Sequence, residues 1–262
     1  MKKRIPIFLL ALMLLACSIS NIPTQPAVTE PPVVTNVTCN ELAFYLDPAL
    51  ASGYSCETVA ESPEGIEVYP QYTKLTLQGY VLADNFFTAF ISVFPVQSYS
   101  DLLPDNIPGR VAALQALISG GSAPVFTASF SSALPFLPTF NAAQVFFAEY
   151  QTLPFVSGGG IRFLTEYAQY YAPVNNYDLF YTYQGLTSDG LNWVSAILPI
   201  NNPILPANPD PLPGGVSFED FSNNYEPYIT DMVNKLNTQA PASYIPSLDM
   251  LDALVASITI QP

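Results

Sequence analysis

Residues 143–200 read AQVFFAEYQTLPFVSGGGIRFLTEYAQYYAPVNNYDLFYTYQGLTSDGLNWVSAILPI, and the punctuation of this stretch decides the fold. Four apolar, aromatic-rich runs follow one another: Ala143 to Leu153, Ile161 to Ala172, Asp178 to Leu186 and Leu191 to Ile200. Between them stand Ser157-Gly158-Gly159-Gly160, Asn175-Asn176 and Ser188-Asp189-Gly190, which are turn or flexible-loop chemistry. Links this short cannot house a crossover helix, so the four strands are expected to pair antiparallel as a meander. Phe146 beside Phe147, and Leu179-Phe180-Tyr181 ahead of Tyr183, put apolar groups on both faces of the sheet. Such a sheet needs cover on both sides.

The flanking sequence offers that cover. Upstream, strand-like runs are predicted at Ile66 to Tyr69, Lys74 to Leu82 and Phe86 to Val96. Ile107, Val111, Leu114, Leu117 and Ile118 recur at helical spacing, with Pro108 suited to a first turn and Gly120-Gly121 as the stop. Residues 119–141 read as loop. Downstream of a Pro-rich loop from Asn202 to Gly215, Phe218, Phe221, Tyr225, Tyr228, Ile229, Met232 and Leu236 mark one helical stripe. Ser217 is its N-cap, and Pro227 should kink or restart it. Ser247 caps a last helix carrying Leu248, Leu251, Leu254, Val255 and Ile258. Strands grouped together, with helices between and after them, indicate an α+β fold. The expected architecture is an antiparallel sheet of about six or seven strands packed by three helices.

At the other end of the chain, Met1-Lys2-Lys3-Arg4 precedes the apolar run Ile5 to Leu15 and then Ala16-Cys17. A basic start, an apolar run too short to span a bilayer and a small residue describe a secretory signal. The cysteine directly after that small residue resembles the lipobox of bacterial lipoproteins, although Leu15 is less usual at its position. The resemblance implies lipid on Cys17, cleavage before it, and a membrane-anchored protein outside the cytoplasm, at the cell surface or the periplasmic face. The alternative for this segment is a bare membrane anchor. Residues 18–38 carry Pro23, Pro26, Pro31 and Pro32 among Thr, Val and Gln, the composition of an extended, solvated tether. The organisation expected is therefore a signal over residues 1–16, an anchored tether over 17–38 and one α+β domain over 39–262. In element order the body also resembles PsbP-like extracytoplasmic domains, which hold an antiparallel sheet between helices; that likeness implies fold and no site. The body is similar, too, to other bacterial lipoproteins in which the anchor is the identified feature.

Cysteine and charge agree with that address. With Cys17 lipidated, Cys39 and Cys56 remain, and one pair in a secreted chain most simply forms a disulfide; two thiols with a redox or metal role are the competing reading. Lys2, Lys3 and Arg4 leave with the signal, so four of seven basic residues face 21 acidic ones and the mature net charge is −17. Nucleic acid and anionic lipid headgroups are unsuitable partners for such a surface. The partners expected are the membrane, through lipid, and a protein or saccharide.

The chain contains no histidine, which removes Ser-His-Asp and Cys-His catalysis and His-ligated metal centres. No phosphate-binding glycine motif occurs, so nucleotide chemistry is not expected, and no cofactor, metal site or catalytic residue is assigned. Asn208 to Asp210 offer oxygen ligands for calcium, without the spacing of a calcium-binding loop. Glu149 and Glu166 lie on successive predicted strands, and a hairpin folded between Ser157 and Gly158 would set them opposite one another near Arg162. Such a pair suits glycoside hydrolysis on saccharide or envelope polymers; the expectation is instead two solvent-facing residues of a sheet. Tyr170, Tyr181, Tyr183 and Trp193 stand out in an aromatic-dense region and are the candidates for a ligand face. The competing reading of the same density is the core and rim of the sheet. The function expected is non-catalytic binding.

Overall fold

The computed structural model describes residues 34–120, 124–128 and 133–261; the signal, Cys17 and nearly all of the tether lie outside them. In chain order the elements are β1 (Val37–Cys39), β2 (Leu42–Phe44), β3 (Gly53–Val59), β4 (Tyr72–Gln78), β5 (Phe90–Pro95), α1 (Val96–Leu102) and α2 (Ile107–Ile118). There follow β6 (Ala143–Gln144), β7 (Ala148–Phe155), β8 (Gly158–Thr165), β9 (Tyr167–Ala168), β10 (Phe180–Thr187) and β11 (Asn192–Pro199). The chain closes with α3 (Phe218–Asn223), α4 (Tyr225–Leu236), α5 (Leu248–Ala256) and β12 (Thr259–Ile260).

Seven strands make one antiparallel sheet in the order β3-β4-β5-β11-β10-β8-β7, so the fold is α+β as expected. The meander predicted for residues 143–200 forms one side of it, with Phe155 opposite Gly158, Phe180 opposite Thr165 and Phe180 opposite Pro199. Period-two alternation then sorts side chains onto two buried faces. Ile91, Val93, Tyr181, Tyr183, Val194, Ala196 and Leu198 pack with Ile229, Val233 and Leu236 of α4 and Leu248, Leu251 and Val255 of α5. Phe94, Phe163, Phe180, Leu186, Trp193 and Ile197 pack with Tyr99 of α1, Ile107 and Leu114 of α2, and Leu134, Phe136 and Leu137 of the preceding loop. Each such side chain contributes about 1.5–3 kcal/mol when fully buried, so two apolar layers hold the sheet between its helices.

One buried polar side chain, that of Gln184, is fully engaged. Gln184 Oε1 accepts from Trp193 Nε1 at 2.8 Å and from the Leu137 backbone N–H at 3.0 Å, while its Nε2 donates to Ser195 Oγ at 3.0 Å and to the Leu137 carbonyl at 3.2 Å. One amide thereby docks the loop containing Leu137 as a strand would.

Several expectations are corrected. Ile66 to Tyr69 is not a strand: only an isolated bridge joins Ser62 to Tyr69, and Ile66 is exposed. The run from Phe86 contributes β5 only from Phe90, and the chain turns into α1 at Val96. The strand β3 was not anticipated, because it lies at the sheet edge with most of its residues exposed and shows no apolar alternation. Its partner β4 alternates cleanly. Gly158, Gly159 and Gly160 are strand rather than loop, and the turn is Val156-Ser157. The described residues form five α-helices where three were expected, partly because the long stripe restarts at Asn224. Pro227 sits in the first turn of α4, where its missing N–H is not needed. Ser217 and Ser247 cap as predicted, accepting from the backbone N–H groups of Asp220 and Met250.

Cys39 and Cys56 are joined as a disulfide, which fastens β1 to the edge strand β3.

Candidate ligand cleft

Three of the four aromatic candidates belong to the core. Tyr181, Tyr183 and Trp193 are completely buried, on strands whose two faces are both covered, and no ligand reaches them. Tyr170 is 54% exposed and does face a cleft. The difference is position: Tyr170 lies beyond the end of β9, in the connection to β10.

The two glutamates are also separated. The pairing of β7 with β8 sets Gln151 against Arg162 and Ala148 against Leu164, with a bulge between, so Glu149 lies across from Phe163, three positions short of Glu166. Glu149 occupies the bulge with φ of 52° and joins Arg162. Arg162 is buried and makes ion pairs with Glu149 at 3.5 Å and Asp252 of α5 at 3.3 Å, donates to Gln151 Oε1 at 2.8 Å and to the Glu149 carbonyl, while the Tyr181 hydroxyl donates to Asp252 at 2.9 Å. Burial raises the pKa values of Glu149 and Asp252, and Arg162 pulls both back. Two half-sequestered carboxylates held by one guanidinium join β7, β8 and α5; the cluster is internal and presents no open face to a substrate.

Glu166 is elsewhere. It is 1% exposed, and no side chain hydrogen-bonds either carboxylate oxygen. Burial, with the Asp178 carboxylate second, raises its pKa well above the ordinary value of 4.5, and the backbone N–H of Asn175 opposes this. Glu166 is thus a buried acid, and the expectation that it is solvent-facing is corrected.

Glu166 lines the cleft that Tyr170 faces, a volume of about 720 Å³. Topology explains its place: β4, β8 and β11 end, and β5 and β10 begin, at one end of the antiparallel sheet, so their connecting loops gather there. Phe86 and Phe87 come from the β4–β5 connection, Phe140 and Asn141 from the segment before β6, Gln169, Tyr170, Tyr177 and Asp178 from the connection between β9 and β10, and Asn208 from the Pro-rich loop after β11. Aromatic contact runs from the core outward, with Phe180 against Phe87 at 4.9 Å, Phe87 against Phe86 at 4.8 Å and Phe86 against Tyr177 at 6.1 Å between ring centres.

Asparagine side chains hold these loops. Asn175 Oδ1 accepts from the backbone N–H groups of Tyr177 and Asp178, and its Nδ2 donates to Asp178 Oδ2 at 2.8 Å. Asn176 donates to the Asn202 and Leu205 carbonyls and accepts from the Asn202 N–H. Asn85 donates to the Asn176 carbonyl at 2.7 Å. A cleft framed this way is formed without a ligand, and its size is that of small-molecule sites. Tyr177 belongs to the aromatic-dense region that the sequence marks, whereas Phe86 was read only as the start of a strand; the signal available for it was its position immediately after the turn pair Asp84-Asn85.

Among the described residues no group of three or more Asp, Glu or Cys is placed to hold a metal ion. Among the described residues, too, no helix is long and apolar enough to cross a membrane. No protein-family model matches the chain, and no curated protein or solved structure matches it either.

Proposed function

We propose that this chain is a lipid-anchored extracytoplasmic domain that binds a saccharide without converting it, using the cleft beside Tyr170. The observation that carries the reading is the exposure of three aromatic side chains, Phe86, Tyr170 and Tyr177, around a preformed cleft that also offers the amides of Asn141, Gln169 and Asn208. Flat aromatic faces bury the C–H surface of a sugar ring while amides serve its hydroxyls. Support for the address comes from Leu14-Leu15-Ala16-Cys17 and from a disulfide, which persists in oxidising compartments.

A second reading, a carboxylate-dependent hydrolase on saccharide or envelope polymers, draws on Glu166 and Asp178, which both line the cleft. Binding is preferred because Glu166 is almost wholly withdrawn from solvent and Asp178 is engaged by Asn175. Calorimetric titration of the soluble domain with neutral, cationic and anionic oligosaccharides tests the proposal. Tyr170→Ala and Phe86→Ala should each weaken binding by about tenfold or more, and the sugars should be recovered intact. Absence of binding to any oligosaccharide would overturn the proposal, and release of shortened products would replace it with the hydrolase.

A further inference from the structure

The cleft beside Tyr170 is one of two depressions that adjoin at the end of the short β6–β9 ribbon. Phe140, Asn141, Ala142, Ala168, Gln169 and Tyr170 line both, the first of about 720 Å³ and a second of about 640 Å³ that Tyr171 also lines. Ala143 pairs with Ala168 across the ribbon, and Gln169 Nε2 donates to the Asn141 carbonyl at 2.5 Å, so the shared wall is tied together by the chain itself. Each depression has the volume of a small-molecule site. A single sugar ring occupies one of them and leaves the other empty.

Exposed aromatic rings stand in both. Phe86 and Tyr177 belong to the first depression, where the Phe86 N–H donates to the Tyr177 carbonyl at 2.8 Å and their rings meet edge to face. Tyr170 is on the shared wall. Tyr171, in the second depression, is 41% exposed, and its ring rests on Tyr225 of α4 with 4.8 Å between ring centres. Ring faces at successive places suit successive sugar units, each burying C–H surface on an aromatic while its hydroxyls reach the exposed amides of Asn141 and Gln169. Charge narrows the chemistry further. Glu67 and Asp178 line the first depression, and no Lys or Arg lines either one. The basic residues of the domain are engaged elsewhere: Lys74 with Glu57, Arg162 with Glu149 and Asp252, Lys235 with Asp231, and Arg110 with the Asn106 side chain and the Phe136 carbonyl. A carboxylate, sulfate or phosphate on the ligand would meet negative charge with no cation to pair it.

We infer that the ligand is a glycan chain of several units without acidic groups, which crosses the ribbon end at Tyr170 and occupies both depressions. The inference rests on the cleft being a saccharide-binding site. The side with Phe86 and Tyr177 holds a short chain, having two exposed rings against one, and Tyr171 is what a longer chain adds. Once the first units are seated, the next engage as part of the same molecule, so their contacts add to affinity without a second cost of association. Affinity therefore grows with chain length until both depressions are filled.

The test is calorimetric titration of the soluble domain with neutral dimers and hexamers of glucose, mannose, galactose and N-acetylglucosamine, and with a galacturonate hexamer. In the neutral series that binds, the hexamer should be about tenfold or more tighter than the dimer, a larger gain than alternative registers on a single site supply. The galacturonate hexamer should be weaker than that neutral hexamer by about tenfold or more, and the gap should narrow as salt rises. Tyr171→Ala should bring the hexamer-to-dimer ratio down to about threefold or less. Should that variant fail to fold, the length series on the unaltered domain decides the matter alone. Equal affinity for hexamer and dimer would overturn the inference and leave the saccharide-binding proposal standing. An unchanged ratio in a folded Tyr171→Ala domain would remove the second depression from the site. A galacturonate hexamer as tight as the neutral one would overturn the exclusion of acidic chains. No binding by any of these sugars would overturn the inference and the saccharide-binding proposal together.

Discussion

Tyr183 shows how much one side chain commits a sheet. Its ring lies across β8 from β10 and its hydroxyl donates to the Leu153 carbonyl of β7 at 2.9 Å. That path is open because the residues beneath are glycines: a Cβ on Gly160 would stand 2.6 Å from the ring and 2.4 Å from the Gln184 carbonyl, and one on Gly185 would stand 2.6 Å from the ring. Gly160 and Gly185 therefore form a slot for the Tyr183 ring, while a Cβ on Gly158 would meet Phe155 and one on Gly159 would meet Ile118. Gly160→Ala is expected to destabilise the domain by about 1–3 kcal/mol, since overpacking against backbone has little room to relax. Urea unfolding measures this, and an unchanged midpoint would show that the slot is looser than its distances imply. Glu166 makes the opposite point, since nothing in the sequence distinguishes it from an exposed strand carboxylate. Only its enclosure by Tyr225, Tyr228 and Asp178, from elements distant in the chain, makes it a buried acid whose pKa is raised.

At the scale of elements, the edge strand β3 is the most dependent on its neighbours. Most of its residues are exposed, so apolar burial does little to hold it, and ladder bonds to β4 together with Cys39–Cys56 secure it. The disulfide closes a span of 17 residues. In the chain-entropy account a loop of that size restricts the unfolded state by about 3 kcal/mol. Replacing both cysteines with Ser should lower unfolding free energy by about that amount, and amide exchange in β3 should rise more than in β10 or β11. Equal protection in β3 with and without the disulfide would mean that the ladder suffices. Helices behave differently: their amphipathic stripes and Ser caps were plain in residues 107–118, 217–236 and 247–256, whereas the restart at Asn224 depended on how α3 and α4 meet the sheet.

For the whole molecule, the sheet carries a buried layer on each face, and the loops at one end frame the cleft. The proposed binding cleft would stand on this buried interior, and the proposed lipid on Cys17 would hold it near a membrane. Cys17→Ala should move the protein from the membrane fraction to the soluble one, as judged by fractionation of cells expressing the full chain. Retention equal to that of the unaltered protein would remove lipidation from the account.

What the sequence by itself determined is whatever depends on neighbours along the chain: the turn punctuation that makes residues 143–200 a meander, the helical stripes, the Ser caps, and the demand for cover on both faces. The cysteine parity, too, led to Cys39–Cys56 without knowledge of geometry. Tertiary structure alone decided which aromatics are core and which are cleft, because Tyr170 and Tyr181 both stand in an aromatic-dense run, yet Tyr170 falls in the loop after β9 and Tyr181 on β10 against α5. It alone decided the partners of Glu149 and Glu166, because a bulge in β7 shifts register in a way that no local residue announces. Burial and register are properties of elements meeting in space, and charge state follows burial; for that reason the fold was legible from the residues, and the cleft with its buried acid was not.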